Sequence, residues 1–239
     1  MMFKRTLTFI KHWFWLIVLI ATLCVLLYFG FENYLRFDFL KQHRESLLYW
    51  VQHHYIITVI AFSILYVILV AISFPGASYL TIVSGFLFGT FLGMIYVVCA
   101  ATIGSIILFL AVRNAVNPLV ADTQKTWINK MRQGFSENEV RYLFFLRILP
   151  IFPFWAVNVA AAVLNVRLIT FILVTFIGII PGTFIYALLG SGLGTVFDQN
   201  KSPNMGIIFE PYVLLPLIAL AILSIFPVLY NKWRQLKTR

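Results

Sequence analysis

Five residues in the stretch 144–165, FFLRILPIFPFWAVNVAAAVLN, offer chemistry that their apolar neighbours do not: Arg147, Pro150, Pro153, Asn158 and Asn165. A guanidinium presents paired donors that match the oxygens of a phosphate or carboxylate. It stays protonated, so it binds anions rather than carrying protons. The two asparagines add amide donors. Each proline removes a backbone N–H and clashes with the turn before it, so two prolines three apart predict a broken helix. Irregular backbone at membrane depth survives only where protein or water covers it. The stretch therefore reads as a broken or re-entrant segment lining a cavity, with Arg147 as its anion-binding group. The competing reading makes Arg147 structural, paired with backbone carbonyls or snorkelling to the interface.

Composition sets the environment. The chain has 239 residues, 62% hydrophobic and 11% charged, against about 45–50% and about 25% in soluble domains. This predicts an all-α, polytopic membrane protein with no sizeable soluble domain. The net charge of +10 does not argue for nucleic acid, because much of the excess flanks the terminal hydrophobic runs, where basic residues set topology and meet anionic lipid. Cys24 and Cys99 lie in apolar runs and read as packing residues, and no cofactor or metal is implied.

Residues 1–55 read as an N-terminal part: an uncleaved anchor span at 13–31, then an interfacial amphipathic helix within 32–55. His53 and His54 read as a solvated pair, since adjacent residues do not share a helix face. Residues 56–192 read as the membrane core, and 193–239 as a loop, a last span at 212–230 and a basic tail. In the core, a span at 56–74 ends at Pro75–Gly76. The next stretch, 77–93, carries Gly85, Gly89 and Gly93 every four residues. That spacing makes a flat face for another helix, and the Pro-Gly break favours a half-membrane hairpin. A span at 94–112 closes on Arg113, which reads as an interfacial anchor, as does Arg167. The polar segment 113–141 reads as one or two surface helices with a capping box at 136–139. A further span covers 167–189. All eight acids, at 32, 38, 45, 122, 137, 139, 198 and 210, are expected in loops.

A shift of 77 residues lays residues 74–76 on 151–153, residues 84–87 on 161–164 and Gly104–Ser105 on Pro181–Gly182. Interrupted hydrophobic segments in matching positions of two halves point to a transport site at the bilayer midplane. Both basic ends predict cytoplasmic termini, although the five clear spans make an odd number.

FPG-x8-GFLFG-x3-G at 74–93, Phe109-x3-Arg113, FFLRILPIFPFWAVN at 144–158 and FIGIIPGTFIYALLG at 176–190 resemble the DedA superfamily, and more closely its VTT-domain branch of SNARE-associated Golgi type. The resemblance implies two re-entrant hairpins in an inverted repeat. It also implies movement of phospholipid or polyprenyl-phosphate head groups between leaflets. It assigns Arg147 to the second hairpin, Pro75, Gly76, Gly85, Gly89 and Pro153 to hairpin positions, and Arg113 to the end of its span. Many DedA proteins carry a glutamate after the first Pro-Gly, where this chain has Ala77. That departure, with no acid expected at membrane depth, argues against proton coupling unless His53 or His54 reaches the cavity.

The expected function is a lipid transporter or scramblase, with phosphate-bearing membrane lipids as its partners. The alternative is a membrane-embedded assembly or trafficking factor whose glycine faces bind partner helices. An enzyme is not expected: the chain has no Cys–His arrangement, HExxH or P-loop. The short loops suit an inner cell membrane, and self-association is left open.

Overall fold

Three residues with left-handed backbone, Ser73 (φ 62°), Gly89 (φ 78°) and Asn165 (φ 58°), divide the membrane core into its elements. In a computed structural model of the chain, the described residues are 43–74, 76–121, 139–148 and 152–198, with single positions 18, 21, 211, 215 and 218. Pro75, Pro150, Ser136 and all but single positions of the spans expected at 13–31 and 212–230 lie outside them.

Helix α1 (Arg44–His53) meets α2 (Tyr55–Ala71) at a 113° bend. Leu47 and Val51 of α1 pack into the core, while Tyr49 and Trp50 are exposed. His53 Nδ1 lies 2.9 Å from the Tyr49 carbonyl oxygen, and its ring stacks on Tyr49 at 4.0 Å. Along α2, Ile57, Ile60, Ile64 and Ile68 are exposed, while Phe62, Tyr66, Leu69 and Val70 are buried. Both faces are thus apolar, as a helix between protein and lipid requires. The helix stops because Ser73 turns left-handed, so that Phe74 N–H reaches the Leu69 carbonyl (2.8 Å) and Ser73 N–H the Val70 carbonyl (3.0 Å), a Schellman cap.

Helix α3 (Ala77–Phe88) follows, then the turn at Gly89, then α4 (Thr90–Ala121). Twelve residues of helix reach about 18 Å, short of the roughly 30 Å hydrocarbon layer. Helix α5 (Glu139–Ile148) comes next, and α6 (Phe154–Val163) is a second short helix. Helices α7 (Leu168–Gly178) and α8 (Ile180–Asp198) are nearly continuous, and residues 168–192 are long and apolar enough to cross a membrane, as are residues 90–116 of α4. Pro181 sits in the first turn of α8, where its missing N–H costs nothing. The starts of α3 and α6 are 77 residues apart, and α6 ends in the same Schellman cap as α2, with Asn165 N–H on the Ala162 carbonyl and Val166 N–H on the Ala161 carbonyl, both 3.1 Å.

Packing exchanges the short helices between halves. Helix α2 lies on α4 and α5 on α7, but α3 packs on α8 and α6 packs on α4. One apolar core gathers Phe62, Leu69, Phe74, Phe88 and Val97. The other gathers Phe109, Leu143, Val157 and Phe171, with the rings of Phe109 and Phe171 stacked at 4.4 Å.

The expected glycine face is corrected here. Gly85 packs on α8, where a Cβ would fall on the Ala187 carbonyl, and Gly93 folds back on α3, where a Cβ would fall 2.6 Å from the Ser84 carbonyl oxygen. A Cβ at Gly89 would meet nothing within 4 Å, and Gly89 instead supplies the turn through its positive φ. The chain's own helices, not a partner's, therefore cover Gly85 and Gly93. Arg113 lies near the end of the apolar span at residues 90–116 of α4, which itself continues to Ala121, with its guanidinium 5.7 Å from the Phe109 ring centroid.

Candidate functional site

Arg147 occupies the last turn of α5, where a cation complements the helix dipole. Gly178 makes room for it: a Cβ at Gly178 would sit 2.8 Å from the Arg147 Cβ. The side chain is only 8% exposed. Its Nη2 donates to Asn158 Oδ1 at 2.6 Å and to Thr175 Oγ1 at 2.8 Å. The guanidinium also lies over the rings of Phe154 (4.6 Å) and Phe171 (5.3 Å). Its Nε and Nη1 are buried with no partner, as is Asn158 Nδ2. A buried charge with unmet donors is unfavourable until an acceptor arrives.

Arg147 lines a cavity of about 360 Å³, together with Pro153, Phe154, Tyr66, Thr81, Gly182, Thr183 and Tyr186 among others. No acid among the described residues lines it. Ser78 on its wall is exposed, and a Cβ at Gly182 would meet nothing within 4 Å, so the cavity opens outward. The cavity thus brings together one guanidinium-bearing side chain, five hydroxyl side chains and an apolar floor.

Of the residues expected at the site, Arg147, Pro153 and Asn158 come together. Gly76 immediately precedes α3, next to Ala77 on the cavity wall. Gly85, Gly89 and Arg113 serve packing, a turn and α4, as described. Asn165 is corrected: it is exposed and caps α6 at the end away from Arg147's partner Asn158. Sequence reading missed Thr175, whose signal was weak, a threonine in an apolar run 28 residues from Arg147. It also missed Tyr66, Thr81, Thr183 and Tyr186, which look like ordinary span residues until α2, α3 and α8 converge.

Glu139 is a further correction. It was expected in a surface loop, but it is the first residue of α5 and only 6% exposed. Arg167 Nε (2.5 Å) and Thr170 Oγ1 (2.8 Å) donate to its Oε1, and the Arg167 backbone N–H points at Oε2 (3.4 Å). Arg167 is thus an ion-pair partner that ties the α6–α7 turn to α5. Burial pushes the Glu139 carboxyl up, but the bonds from Arg167 and Thr170 outweigh this and hold it below its ordinary value. A depressed carboxylate stabilises the fold above its unfolded value of about 4.3, and that stability is lost as pH falls through the lower folded value. Thermal unfolding in detergent should therefore drop on acidification below about pH 4. In Glu139→Gln this component of the drop should be missing, with a lower midpoint at neutral pH. A variant as stable as the native chain at neutral pH would show that the clasp contributes nothing.

Comparison with known proteins covers the same region. A family model described as the VTT domain matches residues 74–192, a range that holds every cavity-lining residue except Tyr66. A transmembrane protein 41 homolog from Dictyostelium discoideum is 35% identical over 200 residues, 82% of this chain and 58% of its own length. The homolog from Caenorhabditis elegans is 30% identical over 195 residues, 80% of this chain and 77% of its own. Transmembrane protein 41B of Gallus gallus is 29% identical over 182 residues, 74% of this chain and 65% of its own. The chain thus spans little more than half of the Dictyostelium relative. No solved structure gives a significant match.

Proposed function

We propose that this chain, which belongs to the VTT-domain branch of the DedA superfamily, moves the phosphate-bearing head groups of membrane lipids between leaflets through the Arg147 cavity. The observation that carries the reading is the buried guanidinium, anchored through Nη2 and left with Nε and Nη1 unpartnered. Anchoring fixes the fork in place, and a phosphate oxygen would satisfy the remaining donors with charge-assisted hydrogen bonds. The head group of a phospholipid or polyprenyl phosphate would shed part of its hydration for that contact while its acyl chains stay in lipid. Helices α3 and α6, read as re-entrant hairpins entering from opposite faces, would thin the barrier on either side. The passage is proposed as a transfer without chemical change and without proton coupling, since no acid among the described residues faces Arg147. The short loops in the sequence are the ground for placing it in an inner cell membrane.

The test is leaflet exchange of fluorescent phospholipids in proteoliposomes, with the native chain, Arg147→Ala and Arg147→Gln at equal incorporation. One charged hydrogen bond contributes about 1.5–3 kcal/mol, so exchange should slow at least about tenfold in both variants. A pH gradient should change nothing. Gln retains an amide that can meet Asn158 and Thr175, so its thermal stability separates lost function from lost folding. Native-like exchange in a stable Arg147→Gln protein would remove Arg147 from the passage.

A further inference from the structure

The wall of the cavity carries information about which head group it suits. Its hydroxyl side chains come from three helices: Tyr66 on α2, Ser78 and Thr81 on α3, and Thr183 and Tyr186 on α8. The Thr81 hydroxyl donates to the Ala77 carbonyl (3.0 Å), so in its 2.9 Å contact with Tyr66 the tyrosine must be the donor. That leaves the Tyr66 oxygen free to accept. A row of hydroxyls that accept and donate matches the hydroxyls of a polyol. The charge balance points the same way. The described residues lining the cavity hold one cation, Arg147, and no acid. An ammonium brought in beside a phosphate would meet a second cation with no carboxylate to offset it, in a medium where such repulsion is stronger than in water. Size is consistent. About 360 Å³ is roughly a dozen times the 30 Å³ share of one water, enough for a phosphate and a short polyol but not for acyl chains.

We infer that the cavity takes phosphodiester lipids with an uncharged, hydroxylated head group, of the phosphatidylglycerol kind, in preference to zwitterionic ones. Arg147 holds the phosphate, and Thr183 and Tyr186 read the polyol. This rests on the proposed passage of head groups through the same cavity.

The experiment compares leaflet exchange of tail-labelled phosphatidylglycerol, phosphatidylcholine and phosphatidylethanolamine in proteoliposomes of one bulk composition. It is run on the native chain and on Thr183→Val/Tyr186→Phe, which keep shape and remove the hydroxyls. The native chain should move phosphatidylglycerol several-fold faster than either zwitterion, and the double variant should bring the ratio close to one while still exchanging lipid. Equal native rates for the three lipids would overturn the selectivity and leave the passage standing. A native preference that survives in the double variant would overturn the assignment to Thr183 and Tyr186. Absence of exchange for all three would overturn the passage itself, and the selectivity with it. A parallel arm loads vesicles with glycerol 3-phosphate: its release without lipid exchange would assign the same chemistry to a soluble ligand and overturn the lipid assignment.

Discussion

Gly85→Ala and Gly190→Ala are each expected to destabilise this protein, although alanine is the better helix former. At Gly85 a Cβ would land on the Ala187 carbonyl, and at Gly190 on the Ile82 carbonyl. These obstacles are backbone atoms in the facing helix, so no side chain can swing aside. Helix α3 would have to move off α8, and that crossing is the main contact between the first short helix and the second half. Intrinsic preference favours alanine by about 1 kcal/mol in a helix. Overpacking against a close-packed wall costs about 1–3 kcal/mol and sometimes more, and here the wall is backbone. The second effect should win. Thermal unfolding in detergent should show a midpoint lower by several degrees for each variant, with less folded protein recovered. Because the two glycines serve one crossing, the double variant should be less destabilised than the sum of the singles. A midpoint equal to or above that of the native chain would mean that α3 and α8 do not approach this closely.

How much of this was legible in the sequence depends on the range of the interaction. Broken segments announce themselves locally through proline and glycine, so the two short helices could be read from the chain. Arg147 and Asn158 could be read together because 11 residues separate them and both are out of place in an apolar run. The roles of individual glycines were not legible. Gly85, Gly89 and Gly93 have one spacing but do three things, because φ at Gly89 is positive and α8 approaches only Gly85. Glu139 looked like any acid at the edge of a polar segment. Its burial depends on Arg167 and Thr170 arriving from across a hairpin. The hydroxyl wall was equally hidden, since Tyr66 and Thr183 are 117 positions apart in the sequence and meet only because α3 packs on α8 rather than staying within its own half.

Gly182→Phe should stop lipid exchange while leaving the protein as stable as before, or more so. Gly182 lines the cavity in the first turn of α8, and a Cβ there meets no atom within 4 Å. Its φ is not in the left-handed region, so a side chain introduces no backbone strain. Phenylalanine is also a better helix residue than glycine by a few tenths of a kcal/mol, and the ring gains apolar contacts with the cavity floor. A ring placed here takes up much of the space beside Arg147 that a phosphate would need. Exchange should fall to that of protein-free vesicles, a larger loss than removing Arg147, which takes away the anion's partner but leaves the path open. Gly182→Ala is the companion: it adds one methyl to open space, so it should keep both stability and most of the exchange. The contrast with Gly85 makes the pair informative. At one glycine backbone touches backbone, and the other borders open space in the cavity. If a well-folded Gly182→Phe protein exchanges lipid at the native rate, the head group does not travel through this cavity, whatever Arg147 does.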